Sequence, residues 1–328
     1  MRAAPWWLPG GHLQTIWANQ VASDTLTAPV PWQRERIDTP DGDFIDIDHC
    51  PGPQAHSPLI VLFHGLEGSS RSHYARAMAA WALHTGHHLA VPHFRGCSAE
   101  LNRAPRAYHS GDHAEIDHIL QHLVRGHRAQ GGRQAHAVGI SLGGNALMLW
   151  AAMQGVGARL TLDSVTSVCS PLDLSESGHA MGRGINRLIY TPYFLRSMRP
   201  KAEAKWRQHP GLFDLQALRR VQDLYQFDQV FTAPLHGFAS TEDYWQRASA
   251  KPHLSAIRIP AYIINALNDP FIPASSLPGP EAVSSSCHLI YTQAGGHVGY
   301  VKGAWPPGQI SLPEWVEANL KMHTISQT

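Results

Sequence analysis

The sequence has little charge and no long hydrophobic run, and each shortage excludes a class of protein. Charged residues make up 16% of the 328 positions, and 26 basic against 25 acidic residues give a net charge of +1. This balance provides no basic surface of the kind that nucleic acid binding needs. No apolar run approaches the roughly 18 residues that span a bilayer, which excludes a transmembrane helix. An apolar content of 43% still permits a large core and excludes general disorder.

Cysteines are also few, and they are widely spaced: Cys50, Cys97, Cys169 and Cys287. The sequence contains no CxxC pair and no Cys/His spacing typical of a zinc site, so we expect reduced thiols and no metal ion. The residues after Met1 are interrupted by proline and glycine and do not form the apolar region of a signal peptide. We therefore expect a cytoplasmic protein that needs neither a metal nor an organic cofactor.

The hydrophobic pattern predicts an α/β fold with a mostly parallel sheet. Residues 34–39 and 43–48 flank Pro40-Asp41-Gly42, which favours an N-terminal antiparallel hairpin. Asp112 and Glu115 predict a capping box at the start of an amphipathic helix. Short apolar runs alternate with helical segments, a pattern typical of a parallel sheet with helices on both faces. The predicted strands are 59–63, 88–92, 135–140, 165–169, 261–266 and 287–291.

Residues 171–240 interrupt this alternation, which predicts a mostly helical cap inserted over the edge of the sheet, with a short helix over 212–224. The core then comprises residues 1–170 and 241–328. Within it, residues 1–31 are rich in proline, glycine and tryptophan and are expected to form an irregular arm packed onto the body. Five basic residues of the cap predict a solvated face: Arg196, Arg199, Lys201, Lys205 and Arg207.

The strongest chemical signal is the segment Gly139-Ile140-Ser141-Leu142-Gly143, which fits the pattern G-x-S-x-G. It directly follows a predicted buried strand and opens a helical segment over 145–153. A sharp strand-to-helix turn strains the serine backbone, and flanking glycines avoid clashes with neighbouring backbone. The positive end of the helix dipole favours developing negative charge at this position. Ser141 is therefore predicted to be a nucleophile.

A serine hydroxyl becomes a nucleophile only when a base accepts its proton. His297 lies in a glycine-flanked loop after the last predicted strand, and we expect it to be that base. An acid must then orient the imidazole and stabilise its charged form. Asp269 follows the strand over 261–266 and is the preferred candidate. Asp173 follows the strand over 165–169 and is the alternative.

The oxyanion of an acyl-transfer reaction requires backbone donors. We expect the amide of Leu142 to be one donor. The amide of Leu66, in the loop His64-Gly65-Leu66-Glu67-Gly68, is expected to be the other. Neighbouring residues are expected to be structural: His64 through hydrogen bonds within the loop, Glu67 as a solvated acid, Arg95 as a brace between loops and Cys97 as a buried, inert thiol.

Taken together, these residues resemble the α/β-hydrolase superfamily, and more closely its YheT-like branch of ABHD-type lipases and esterases. The chain order Ser141, Asp269, His297 is the one expected of that fold. The resemblance implies a serine hydrolase acting on carboxylic esters, with these three residues at the triad positions. Anchored relatives in this branch are lipases acting on monoacylglycerols or phospholipids, and we expect no such anchor here. The matching segments are 9–15 with Trp17, 64–68, 93–97, 108–111, 139–145, 268–270 and 296–297.

The sequence thus predicts a carboxylesterase for short- to medium-chain acyl esters that works through an acyl-enzyme on Ser141. One alternative is a lipase, thioesterase or acyltransferase for longer acyl lipids. Another, from a different class, is a non-catalytic binding protein on a hydrolase scaffold. The predicted partner is a small ester or acyl lipid, with no nucleic acid. Contact of the tryptophan-rich arm with a membrane surface stays open.

Overall fold

A single sheet of eight strands forms the centre of the protein. The structure, a computed structural model, describes residues 4–21, 29–303 and 309–325. Strands β1 to β8 are, in chain order, Gln33–Asp38, Phe44–Cys50, Leu59–Phe63, His88–Pro92, Ala135–Ile140, Ser164–Val168, Ala261–Ala266 and Cys287–Thr292. Their order across the sheet is β1-β2-β4-β3-β5-β6-β7-β8. Strands β3 to β8 run parallel to one another, while β2 pairs antiparallel with both β1 and β4.

The parallel strands form because their residues are buried on both faces. Every residue of β3, β5, β6 and β7 is buried. This pattern is expected where helices cover both sides of a sheet, because each alternating side chain then meets an apolar layer. Two large apolar clusters result. One contains Trp150, and the other contains Met78. The predicted α/β-hydrolase architecture with an N-terminal hairpin is confirmed.

The helices surround the sheet, and those from α5 (Leu174–Met181) to α10 (Thr241–Ala248) follow one another between β6 and β7. The helix predicted over 212–224 is instead two short helices, because Asp214 and Asp223 each cap a new N-terminus. In residues 4–21, 29–303 and 309–325, no helix combines the length and hydrophobicity of a bilayer-spanning segment. The separate status of the cap as a domain stays a prediction. Helices α1 to α11 are Gly11–Gln20, His73–Thr85, His113–Ala129, Leu142–Gln154, Leu174–Met181, Gly184–Gln208, Leu215–Arg220, Leu224–Phe227, Ala233–Leu235, Thr241–Ala248 and Leu312–Ile325; a small β9–β10 pair joins Val301–Lys302 to Gln309–Ile310.

The sequence predicted an irregular N-terminal arm. The structure differs, because residues 11–20 of this arm form helix α1. Trp7 and Trp17 meet edge to face with ring centroids 5.4 Å apart. They pack against a small apolar cluster that contains Leu8, Ala18 and Val301. The predicted packing of the arm onto the body is therefore confirmed for its described part. Residues 1–3 and 22–28 of the predicted arm lie outside the described residues.

The predicted capping box at α3 is wrong, because ion pairs engage both of its carboxylates. Asp112 occupies the N-cap position, but its side chain makes no cap hydrogen bond and instead pairs with Arg106. Glu115 pairs with the buried Arg95 at 2.5 Å. A buried guanidinium must be paired, so it takes the nearest carboxylates. Arg95 also binds Asp41 and Asp43 across neighbouring loops, which confirms its predicted role as a brace.

All four cysteines are free thiols, as expected from their spacing. Cys97 is buried beside the loop after β4, and this burial raises the pKa of its thiol to about 12. A thiol that stays protonated at neutral pH is a weak nucleophile. The prediction of an inert Cys97 is therefore supported.

Asp43 provides a test of the hydrogen bonds that hold the loop over residues 102–104. Burial alone would raise the pKa of this carboxyl, but hydrogen bonds from Asn102 and from the amides of Arg103, Ala104 and Phe44 lower the pKa to about 2. We expect Asp43→Asn to lower the free energy of unfolding by about 2 kcal/mol at pH 7. Because the folded-state pKa is depressed, this difference exists above pH ~4 and is lost as the pH falls towards 2.

Urea unfolding across this pH range measures that difference. Asp38→Asn is the matched control, because Asp38 is an exposed aspartate at the end of β1. The two variants are expected to converge at low pH. A gap between them that stays constant from pH 7 to pH 2 would contradict the assigned role of the Asp43 carboxylate.

Candidate active site

Ser141 lies in the tight turn between strand β5 and helix α4. Its backbone has a φ of +53°, a conformation that a non-glycine residue adopts only under strain. The turn is held because the Ser141 amide donates to the Val168 carbonyl at 2.9 Å. The Ser141 carbonyl in turn accepts from the amides of Gly144 and Asn145. The predicted strained turn is confirmed.

Glycines flank Ser141 because the turn brings backbone segments into contact. A Cβ atom at Gly139 would lie 2.4 Å from the Cα atom of Gly144. A Cβ atom at Gly143 would lie 2.5 Å from the carbonyl oxygen of His64. Both separations are too short for carbon and would force the strand and the helix apart. The pattern G-x-S-x-G therefore reflects a steric requirement of this turn.

Three side chains meet at the carboxyl ends of β5, β7 and β8. His297 Nε2 lies 3.0 Å from Ser141 Oγ, and His297 Nδ1 lies 2.9 Å from Asp269 Oδ2. The carboxylate of Asp269 is fully buried, and its Oδ1 accepts from the amide of Phe271 at 2.8 Å. The ring of Phe271 lies 4.2 Å from the imidazole and limits its movement. The three residues singled out from the sequence thus form one hydrogen-bonded relay.

Asp173, the alternative candidate to Asp269, lies at the N-terminus of helix α5. Its carboxylate accepts from the Glu176 amide at 3.2 Å and caps helix α5. It also pairs with Lys251 at 3.3 Å. The carboxylate that contacts His297 is that of Asp269, so the geometry favours the preferred candidate.

Helix α1 supports the relay through two residues that the sequence analysis did not single out. Gln14 Oε1 accepts from the Gly295 amide at 2.9 Å and from Asn268 Nδ2 at 3.0 Å. Thr15 Oγ1 accepts from the amide of His297 at 2.8 Å. The helix therefore fixes the loops that carry Asp269 and His297. The only signal in the sequence was the resemblance of segment 9–15.

The amides of Leu66 and Leu142 are available as donors, since neither is hydrogen bonded to another described residue. The loop of Leu66 is fixed by the buried His64. Because His64 Nε2 accepts from the Phe94 amide at 3.0 Å, its Nδ1 carries the proton and donates to the Gly65 carbonyl at 2.7 Å. Burial lowers the pKa of His64 to about 3, so the ring stays neutral. The predicted supporting role of His64 is confirmed.

Two predictions are wrong: that Glu67 is exposed to solvent, and that the five basic residues of the cap form a solvated face. The side chain of Glu67 is only 9% exposed; it pairs with Lys201 at 2.9 Å and accepts from the Tyr108 hydroxyl at 2.9 Å. Lys205 is buried and donates to the carbonyls of Asn102 and Ala104, and burial lowers its pKa to about 8. The reason is that helix α6 folds this face onto the loops of the sheet. Of the five cap cations, only Arg196 and Arg207 are exposed.

Two cavities meet at Ser141 and His297. We call the first the inner chamber; it has a volume of about 170 Å³ and lies beneath helices α5 to α10. We call the second the outer groove; it has a volume of about 730 Å³ and runs between helices α1 and α6. Apolar side chains of the inner chamber include Leu174, Met181, Met198, Phe227 and Phe231. Those of the outer groove include Ile16, Ile189, Tyr193 and Phe194.

Known proteins resemble this chain over most of its length. The model of the alpha/beta hydrolase family matches residues 60–304. A putative esterase, YheT, of Escherichia coli is 36% identical over 318 residues, covering 94% of this chain and 91% of that protein. Phospholipase ABHD3 of Mus musculus is 24% identical over 310 residues, covering 90% of this chain and 74% of its own length.

Solved structures agree on the fold. The esterase Pf2001 of Pyrococcus furiosus superimposes with a TM-score of 0.55 at 12% identity, covering 90% of this chain and 91% of that one. Identity at this level shows the fold alone. The family match and the relative from Escherichia coli go further, since they cover most of the sequence. This chain belongs to the alpha/beta hydrolase family, within its YheT-like ABHD branch.

Proposed function

We propose that this hydrolase is a serine carboxylesterase that cleaves short- to medium-chain acyl esters through an acyl-enzyme on Ser141. The observation that carries the proposal is the relay from Asp269 through His297 to Ser141, with hydrogen-bond distances of 2.9 and 3.0 Å. A base within hydrogen-bond reach of a serine, itself oriented by a buried acid, can activate the hydroxyl.

In acylation, His297 Nε2 takes the proton of Ser141 while Oγ forms a bond to the ester carbonyl carbon. The carbonyl oxygen becomes an oxyanion, which accepts from the amides of Leu66 and Leu142. The charged imidazole is stabilised by Asp269. The tetrahedral intermediate then collapses: the bond to the alkoxy oxygen breaks, and His297 gives its proton to the leaving alcohol.

In deacylation, the same groups act on water. His297 Nε2 takes a proton from a water molecule, whose oxygen forms a bond to the acyl carbon. The bond to Ser141 Oγ then breaks, and the proton held by His297 returns to that oxygen. The products are a carboxylic acid and the free enzyme. Neither half of this reaction needs a metal or a cofactor.

The size of the inner chamber supports an acyl group of limited length. Its volume of about 170 Å³ is smaller than the ~300–1,000 Å³ of pockets that hold drug-sized ligands. We infer that this chamber takes the acyl chain and that the outer groove takes the alcohol part. A short apolar chain would displace little water and meet mostly apolar walls.

A second candidate is a lipase for longer acyl lipids, favoured by the outer groove. Helix α6 exposes Ile185, Leu188 and Tyr193 near this groove, together with the exposed Arg187. Apolar side chains beside a cation suit peripheral contact with an anionic lipid surface. The similar phospholipase ABHD3 points in the same direction.

A series of p-nitrophenyl esters distinguishes the two candidates. For the carboxylesterase, kcat/KM is expected to peak at acyl chains of about four to eight carbons and to fall at least tenfold for chains of about sixteen, because they exceed the chamber. A pre-steady-state burst of nitrophenolate, measured with substrate in excess over enzyme, tests the acyl-enzyme in the same assay. Activity that rises steadily to the longest chains, and rises further on anionic vesicles, would favour the lipase.

A further inference from the structure

The inner chamber contains polar groups for which the proposed relay has no use. Asp228 begins a single π-helical turn, Asp228–Thr232, and lines the chamber. Ser177 lines it from helix α5. The surrounding wall is mostly apolar, with Leu174 and Phe231 among its members, and it also includes the ion pair of Lys201 and Glu67. A carboxylate and a hydroxyl in such a wall need an explanation, because a charged group in apolar surroundings is normally paired with an opposite charge, and a hydroxyl with a hydrogen-bond partner.

The hydrogen bonds of Asp228 come from neutral groups. Its Oδ1 accepts from Thr232 Oγ1 at 2.6 Å, and its Oδ2 accepts from Trp245 Nε1 at 2.9 Å. Within the part of the chain that the structure describes, no Lys, Arg or His forms an ion pair with it. Each carboxylate oxygen can accept a further hydrogen bond. The side chain is therefore held in place by two neutral donors, and burial raises the pKa of this carboxyl to about 6, so that most of it is ionised at neutral pH.

Ser177 provides a second, independent observation. Its Oγ is buried and has no hydrogen-bond partner among the described residues, and the residue as a whole is 5% exposed. A Cβ atom on the next residue, Gly178, would lie 2.4 Å from the ring of Trp245. Helix α5 thus packs against the same tryptophan that donates to Asp228. Ser177 and Asp228 therefore belong to one region of the chamber wall.

We propose that Ser177 and Asp228 form a subsite for a hydroxyl group carried on the acyl chain of the ester. A substrate hydroxyl can donate its hydrogen to the Asp228 carboxylate and accept one from Ser177 Oγ. An alkyl end offers neither bond, and a carboxylate end is repelled by Asp228. The substrate class is therefore an ester of a hydroxy acid. This inference rests on the proposed function, in which the inner chamber takes the acyl chain.

Matched pairs of p-nitrophenyl esters test the subsite. Each pair has the same chain, from about six to ten carbons, with and without a terminal hydroxyl. We expect the hydroxy ester to have a kcat/KM about tenfold higher at one chain length, the length that brings the hydroxyl to Ser177 and Asp228. An absence of any such advantage at every length would overturn the proposal.

Two variants locate the effect. Ser177→Ala and Asp228→Asn are each expected to reduce the ratio of the two kcat/KM values towards one at that chain length. Ser276→Ala is the matched control, because Ser276 is also buried but bonds to the Pro273 carbonyl away from the chamber. It should keep the wild-type ratio. A hydroxyl preference that survives in both variants would contradict the assignment.

Calorimetric binding of the free acids to the Ser141→Ala protein separates this inference from the proposed function. We expect the hydroxy acid of the selected length to bind about tenfold more tightly than its unsubstituted partner. This result would support the subsite even if no ester were hydrolysed. Equal affinities within every pair would overturn the subsite and leave the esterase proposal untouched.

Discussion

Ser141→Ala is expected to lower kcat/KM for p-nitrophenyl butyrate by a factor on the order of 10⁵ or more. The substitution removes the only oxygen that the relay positions for attack, and His297 cannot replace it. Loss of a serine nucleophile in other triads has effects of this order, and the remaining rate comes from substrate binding and oxyanion stabilisation. Steady-state hydrolysis, followed by the absorbance of the released nitrophenolate, gives the measurement directly.

Ser276→Ala is the control for this prediction. Ser276 is a buried serine whose hydroxyl donates to the Pro273 carbonyl at 2.7 Å, and it lines neither of the two cavities. Its activity should stay within about threefold of wild type. If Ser141→Ala kept more than a hundredth of the wild-type rate, a different nucleophile would have to be sought.

Asp269→Asn is expected to lower kcat by about 10⁴ without a comparable change in KM. The carboxylate holds the His297 tautomer in which Nδ1 carries the proton and Nε2 is free to accept the proton of Ser141. An amide at this position can hold the opposite tautomer and cannot stabilise the charged imidazole. The same substitution in another serine triad lowers kcat by about 10⁴. The folded structure should persist, because the change preserves side-chain shape.

The matched comparison is Asp173→Asn, because the sequence offered Asp173 as the alternative acid to orient His297. It is expected to reduce activity by less than about threefold, because it affects a helix cap and a partly exposed ion pair with Lys251. Parallel measurements of kcat and KM on the two variants decide between the acids. The reverse ranking would require another arrangement of His297.

Several features could be predicted from the sequence because they depend on short, local patterns. Buried strands such as 135–140 show continuous apolar runs, and the turn at Ser141 needs glycines within two positions. The loops that carry Asp269 and His297 also follow directly from the ends of predicted strands. In each case the residues that define the feature lie within a few positions of one another.

Other features could not be predicted because they depend on distant contacts. Gln14 acts on Gly295, 281 positions away, and nothing local distinguishes it from a solvent-exposed glutamine. The buried state of Lys205 depends on carbonyls of residues 102 and 104, on another part of the chain. The capping box predicted at Asp112 failed partly for the same reason: Glu115 pairs with Arg95, 20 positions away, whereas Asp112 pairs with the nearby Arg106. Local pattern predicts an element, but its partners are set by the fold.

The most direct test of the central claim is to map the site at which a fluorophosphonate reacts. A hydroxyl activated by His297 should form a covalent phosphonate, and mass spectrometry of tryptic peptides should locate a single adduct on Ser141. Denatured protein and the Ser141→Ala variant should take up none. Labelling of Ser141→Ala to the same extent as wild type, or an adduct on another residue of an active sample, would contradict the account.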